Sequence, residues 1–160
     1  MDRRNFLFQL GSVLGLGALP ALACAGAQGT PLRVAGGWRM QERDYQVGIL
    51  EVDFAGDQAA VVNAVTVPTL PHAVVPEAGG GFLAVATRPG QWMVRVGRDG
   101  HVSHRLAMAD EGNARTLDGH VIASHDGRWL YTGETDRQTG AGWVSVRNAK
   151  DLRKVAEHRT

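Results

Sequence analysis

Two stretches of this chain carry the same elements in the same order, and that repeat limits the fold more than any other feature. Pro71-His72-Ala73-Val74-Val75 precedes a glycine turn and then Phe82-Leu83-Ala84-Val85-Ala86-Thr87. Gly119-His120-Val121-Ile122-Ala123-Ser124 precedes Asp126-Gly127 and then Trp129-Leu130-Tyr131-Thr132. A third element, Gln91 to Val96, returns as Gly142 to Arg147, and Val47 to Asp53 reads as an earlier copy of it. His72 and His120 are 48 residues apart, Leu83 and Leu130 are 47 apart, and Trp92 and Trp143 are 51 apart. A period near 48 built from four short strands is the size of one β-propeller blade.

The rest of the chain agrees with an all-β fold. No segment after residue 30 keeps helical apolar spacing for more than about two turns. Strands are expected at Leu32–Gly36, Gln46–Asp53, Ala60–Val67, His72–Val75, Phe82–Thr87, Trp92–Gly97, Val102–Met108, His120–Ser124, Trp129–Gly133, Trp143–Arg147 and Leu152–His158. Gly79-Gly80-Gly81, Arg98-Asp99-Gly100 and His125-Asp126-Gly127 supply the positive φ that tight hairpins need. The expected units are 31–67, 71–109 and 117–160. In each full unit the first strand would be innermost, the second would carry the core and the outer strands would be more polar.

The first unit has only three strands and lacks an innermost one, whereas closed propellers have ~4–8 blades. Residues 28–160 therefore read as an incomplete propeller of two to three four-stranded blades, the front part of a longer ring. A genuine short protein would have to oligomerise, and a nonfunctional truncated fragment is the third reading. Expressed alone, such a piece is expected to be aggregated, oligomeric or molten, with Trp129 and Trp143 poorly protected.

Residues 1–27 read as an export signal rather than as part of the fold. Arg3-Arg4 stands just before Phe6-Leu7, an apolar run extends from Leu10 to Leu19, and small residues follow Pro20. The arginine pair resembles the twin-arginine class, which exports folded proteins to the periplasm. The apolar run is too short to span ~30 Å of hydrocarbon, so no integral membrane segment is expected after cleavage. Cleavage after Ala27 leaves Gln28 first; cleavage after Ala23 leaves Cys24 available for lipidation. Cys24 is the single cysteine, so the chain forms no internal disulfide. A net charge of +1 argues against a nucleic-acid partner.

The third unit is specific enough to compare with a family. Gly119-His120, Asp126-Gly127-Arg128-Trp129-Leu130-Tyr131-Thr132, Glu134, Asp136, Thr139-Gly140, Gly142 and Val144 resemble the recurring signature of an uncharacterised family of exported bacterial β-propeller proteins, described as a domain of unknown function. His72, Phe82-Leu83-Ala84, Arg88-Pro89-Gly90 and the twin-arginine start are similar to the same family. The resemblance implies a seven-bladed periplasmic protein of which this chain is the N-terminal half. It also implies genes beside imelysin-type lipoproteins of iron uptake. The family's His-aromatic-Tyr-Gly-His segment reads Ala114-Arg115-Thr116-Leu117-Asp118-Gly119-His120 here, so its first His and its Tyr are missing.

No nucleophile elbow, His-Glu-x-x-His, Cys-x-x-Cys or phosphate-loop pattern is present, so no catalytic residue is assigned. His72 and His120, each at the start of an innermost strand, would line the channel mouth and offer imidazoles suited to Fe, Zn or Cu. The plainer reading is that they bond to a neighbouring blade's backbone. His120 and His125, like His101 and His104, fall on opposite strand faces and do not chelate together. Glu134 and Asp136 would lie in a long loop, as a cation site or simply a charged surface. Trp92 and Trp143 would be blade-to-blade core. The favoured function is a non-enzymatic periplasmic module that binds a small ligand, a divalent metal or a protein. The rival is a lactonase-like or quinoprotein-like enzyme holding a metal in the channel.

Overall fold

A computed structural model describes residues 31–54, 56–112 and 114–160. The export features at Arg3, Arg4, Phe6, Leu7 and Cys24 lie outside the described residues. The described residues are all-β, with eleven strands in three antiparallel sheets that do not close into a ring. The first sheet holds β1 (Leu32–Gln41), β2 (Asp44–Asp53) and β3 (Gln58–Val67). The second holds β4 (Pro71–Pro76), β5 (Phe82–Ala86), β6 (Trp92–Val96) and β7 (Val102–Ala107). A short 3-10 turn at Met108–Glu111 leads to the third, with β8 (Arg115–Ala123), β9 (Trp129–Asp136), β10 (Gly142–Asn148) and β11 (Lys154–Arg159). No helix among the described residues is long and apolar enough to cross a membrane.

All eleven expected strands form, and the three glycine turns join hairpins with Gly80, Gly100 and Gly127 at positive φ. Several boundaries move. β1 continues through Gly36-Gly37 because Gly37 passes against β4, where a Cβ would lie 2.1 Å from the Pro71 ring. β8 begins at Arg115, so His120 is inside the strand and not at its start. β9 runs on to Asp136, paired with Arg115. Leu152 precedes β11; it sits in a turn at φ 63° with its side chain buried.

The second sheet is covered on both faces, which is why β5 reads Phe-Leu-Ala-Val-Ala without a polar residue and is buried throughout. Alternate side chains part to opposite sides. Phe82, Ala84, Ala86, Trp92, Val94 and Val96 meet Val47, Ile49 and Val67 of the first sheet. Leu83, Val85 and Met93 meet Leu117, Val121 and Leu130 of the third. Leu83 and Leu130 are therefore partners across one interface, not copies of each other. The residue corresponding to Leu130 is Phe82, since both face the preceding sheet, and a one-residue offset reverses the face of every side chain. β1 lies against β4 as β5 lies against β8. By that correspondence the first sheet supplies counterparts of β5–β7, and nothing among the described residues of that sheet matches β4.

Candidate functional site

The two histidines singled out by the repeat do come together, and β-bulges are the reason. The β4–β5 register shifts between Pro71 and Ala73, leaving His72 outside the ladder. The β8–β9 register shifts between Leu117 and Val121, leaving Asp118, Gly119 and His120 outside it. A bulge re-aims side chains that regular alternation would send elsewhere. Here the His72 and His120 rings meet edge to face, with centroids 4.7 Å apart and planes at 89°. Both residues are solvent-exposed. Gly119 makes the approach possible: at φ 91°, a Cβ on it would lie 2.9 Å from the His72 side chain.

The surroundings hold this geometry in place. Leu117 and Gly90 exchange backbone hydrogen bonds of 2.8 and 2.9 Å, tying the β5–β6 loop to β8. Asp118 Oδ1 accepts a hydrogen bond from Thr135 Oγ1 at 2.8 Å and lies 3.5 Å from Arg88 Nε. Among the described residues no group of three or more His, Cys, Asp or Glu side chains is placed to hold a metal ion. An ion here would have two protein ligands. Two imidazoles sharing one ion through M–N bonds of ~2.1 Å at a tetrahedral or square angle place their centroids roughly 5 Å apart, close to the 4.7 Å between these two ring centres.

The other histidines stay apart from this pair. His125 is exposed in the β8–β9 turn, and His101 is exposed beside Asp99 at 3.3 Å. His104 makes its contact with Ser103.

Glu134 and Asp136 depart furthest from expectation. Both belong to β9, not to a loop, and they do not form a cation site. Asp136 accepts hydrogen bonds from the backbone of Gln138 and Thr139, which hold its carboxyl below the usual range. Glu134 is fully buried and bonded to Arg147 Nη2 at 2.6 Å and Lys154 Nζ at 3.1 Å. Arg147, also fully buried, pairs with Glu111 of the 3-10 turn, and Lys154 reaches the same carboxylate at 2.7 Å. Arg115 grips Glu157 with two bonds of 2.6 and 3.0 Å and lies 3.8 Å from the Trp143 ring centre.

Three cations and three carboxylates thus balance, and the cluster is saturated by its own members. Burial alone would push the Glu111 carboxyl up, but hydrogen bonds from Arg147 and Lys154 outweigh it and hold the group below its ordinary range. The Arg115 bond holds Glu157 down in the same way. Burial works against the Arg147 charge, yet Glu111 and Glu134 raise its pKa further. Trp143 is half-buried under Arg115, so of the two tryptophans only Trp92 is true inter-sheet core. A sequence signal for this cluster existed: Ser145 and Arg147 fall where the preceding repeat has the buried Val94 and Val96.

The match to known families covers this region. The profile of a family described as a protein of unknown function, DUF1513, matches residues 65–160, from the end of β3 through the second and third sheets and including both histidines. No curated protein matches the chain. With more than half of its length matched, the chain belongs to the DUF1513 family of proteins of unknown function.

Proposed function

We propose that the protein is an exported, non-enzymatic binding module whose three sheets are consecutive blades of a propeller, and that His72 and His120 hold a divalent transition-metal ion. The observation that carries the reading is the edge-to-face meeting of two exposed imidazoles delivered by bulges on adjacent strands. Two nitrogen ligands leave the rest of the coordination sphere open to water, a small ligand or a side chain of a periplasmic protein. Gene neighbours of the imelysin type would make iron uptake the process served. The propeller reading rests on the repeat, on the central sheet covered on both faces, and on β4 and β8 lying side by side; the chain would then be the N-terminal half of a seven-bladed ring.

Titration of the purified protein with Zn2+ and Cu2+ tests the site. One equivalent is expected to bind, and none when His72→Ala and His120→Ala are combined. Equal binding by the double variant would overturn the assignment, and metal-dependent turnover of a lactone would replace the module by the enzyme. Export is tested separately: Arg3→Lys with Arg4→Lys is expected to leave the precursor in the cytoplasm. Equal periplasmic recovery would show that the general secretory route suffices.

A further inference from the structure

A groove of about 530 Å³ runs between the second and third sheets, at the end of β4 away from the imidazoles. Glu77 and Arg95 form its wall on the second sheet; Arg128 and Trp129 form the opposite wall, with Lys150 from the β10–β11 turn. Arg95 interrupts an otherwise apolar strand, and its side chain is only 14% exposed. Its Nε and Nη2 donate to the Glu77 carboxylate at 2.9 and 3.0 Å, and its Nη1 donates to the Lys150 carbonyl at 3.0 Å. A guanidinium has five N–H donors in a fixed fork, so two remain for a ligand.

The opposite wall is less committed. The Arg128 guanidinium stands 5.6 Å from the Trp129 ring centre, and its nearest carboxylate, Asp126, is 3.9 Å away. Trp129 is half-buried and offers a flat apolar face beside that cation. Around this space Arg95 is paired with Glu77 and Arg128 stands at the limit of pairing with Asp126, which leaves Lys150 as an excess of one positive charge. Its volume is that of a small-molecule site.

We propose that this groove binds a small aromatic carboxylate. The carboxylate accepts hydrogen bonds from Arg128, Lys150 and the spare Arg95 donors, while the ring lies against Trp129. The excess positive charge selects an anion, and the indole face selects a flat apolar body over a bare inorganic ion. This site is independent of the imidazole pair.

The test is calorimetric titration of the purified protein with 2-naphthoate, and in parallel with 2-naphthamide and inorganic phosphate. The naphthoate is expected to bind at least tenfold tighter than either. Arg128→Gln combined with Lys150→Gln, both exposed side chains, is expected to keep the cooperative urea transition of the parent and to weaken naphthoate at least tenfold. The His72→Ala, His120→Ala variant is expected to bind it as the parent does. Equal affinity for the neutral amide, or for phosphate, would overturn the proposal. So would an unchanged affinity in the Arg128, Lys150 variant.

Discussion

Between the first and second sheets the buried contacts are apolar, from Val47 and Ile49 on one side to Phe82, Trp92 and Val94 on the other. Between the second and third, an apolar patch of Leu83, Val85, Met93 and Leu130 gives way to Arg147, Glu134, Glu111 and Lys154. The first kind of interface is non-directional, and its strength follows the area it removes from water. The second adds little net stability, because desolvation offsets much of the Coulomb gain, but each charge is costly to leave without its partner. Glu111 belongs to the connector between the sheets, so the third sheet is registered on the second by its own linker. The apolar interface contributes adhesion, whereas the ionic one contributes position.

The largest effect should come from Phe82→Ala, at the centre of the apolar interface. Phe82 is fully buried, and truncating such a ring typically costs about 4 kcal/mol. Urea denaturation would register the loss. A cost below that of Ile49→Val would break the contrast, since it would mean this interface is not closely packed.

Glu134→Ala comes next, at about 3 kcal/mol, because it strips the buried Arg147 and the half-buried Lys154 of a shared carboxylate. Glu134→Gln keeps the shape and removes the charge; an equal loss in both variants would show that charge, not volume, is what the position supplies. Acid should act on the same interface. Glu111 and Glu157 are held below their ordinary value of 4.5. A carboxyl depressed in this way contributes stability that is present above its unfolded pKa and is lost as pH falls through the lower folded value. Below pH ~4.5, amides of β9 and β10 should therefore lose hydrogen-exchange protection before those of β2 and β5. Simultaneous loss in both regions would remove the distinction.

How much of this could be read in advance differs between the two interfaces for the same physical reason. Phe82 to Ala86 announces itself because both faces of β5 are covered, and an apolar run of that length has no other use. The hairpins were legible too, since Gly80, Gly100 and Gly127 answer a backbone need that few residues meet. Glu134 was not, and Arg147 showed only in taking the repeat position of the buried Val96. A charged residue on a strand reads as solvent-facing unless its partner is known; the partners of Glu134 come from β10 and β11, and those of Arg147 from β9 and a connector 36 residues upstream. Equal spacing did point to the histidine pair, but not to its geometry. His72 and His120 meet because each lies in a bulge, and nothing in a period of 48 specifies where a strand will bulge. The boundaries of β8 and β9 were missed with it, since the ladder resumes on both sides of the irregularity.

A last pair of effects, no larger than that of Glu134→Ala, separates two glycines that let β4 approach its neighbours, one at each interface. At Gly37 a Cβ would lie 2.1 Å from Cγ and 2.8 Å from Cδ of Pro71, atoms of a closed ring that cannot rotate away. Gly37→Ala should therefore push β1 off β4 and cost about 3 kcal/mol, the upper range for overpacking, with no effect on metal binding. At Gly119 the neighbour is His72, with Cβ and ring atoms 2.9 Å from the added carbon, and the backbone sits at φ 91°. That conformation costs an L-residue roughly 1–2 kcal/mol, and part of the contact is relieved by swinging the imidazole. Gly119→Ala should thus cost about 2 kcal/mol but displace the His72 ring from His120, raising the dissociation constant for Zn2+ at least tenfold. Paired urea and Zn2+ titrations of the two variants check this. A Gly37→Ala protein with weakened metal binding, or a Gly119→Ala protein with Zn2+ affinity unchanged, would show that the imidazole geometry does not depend on the close approach at β8.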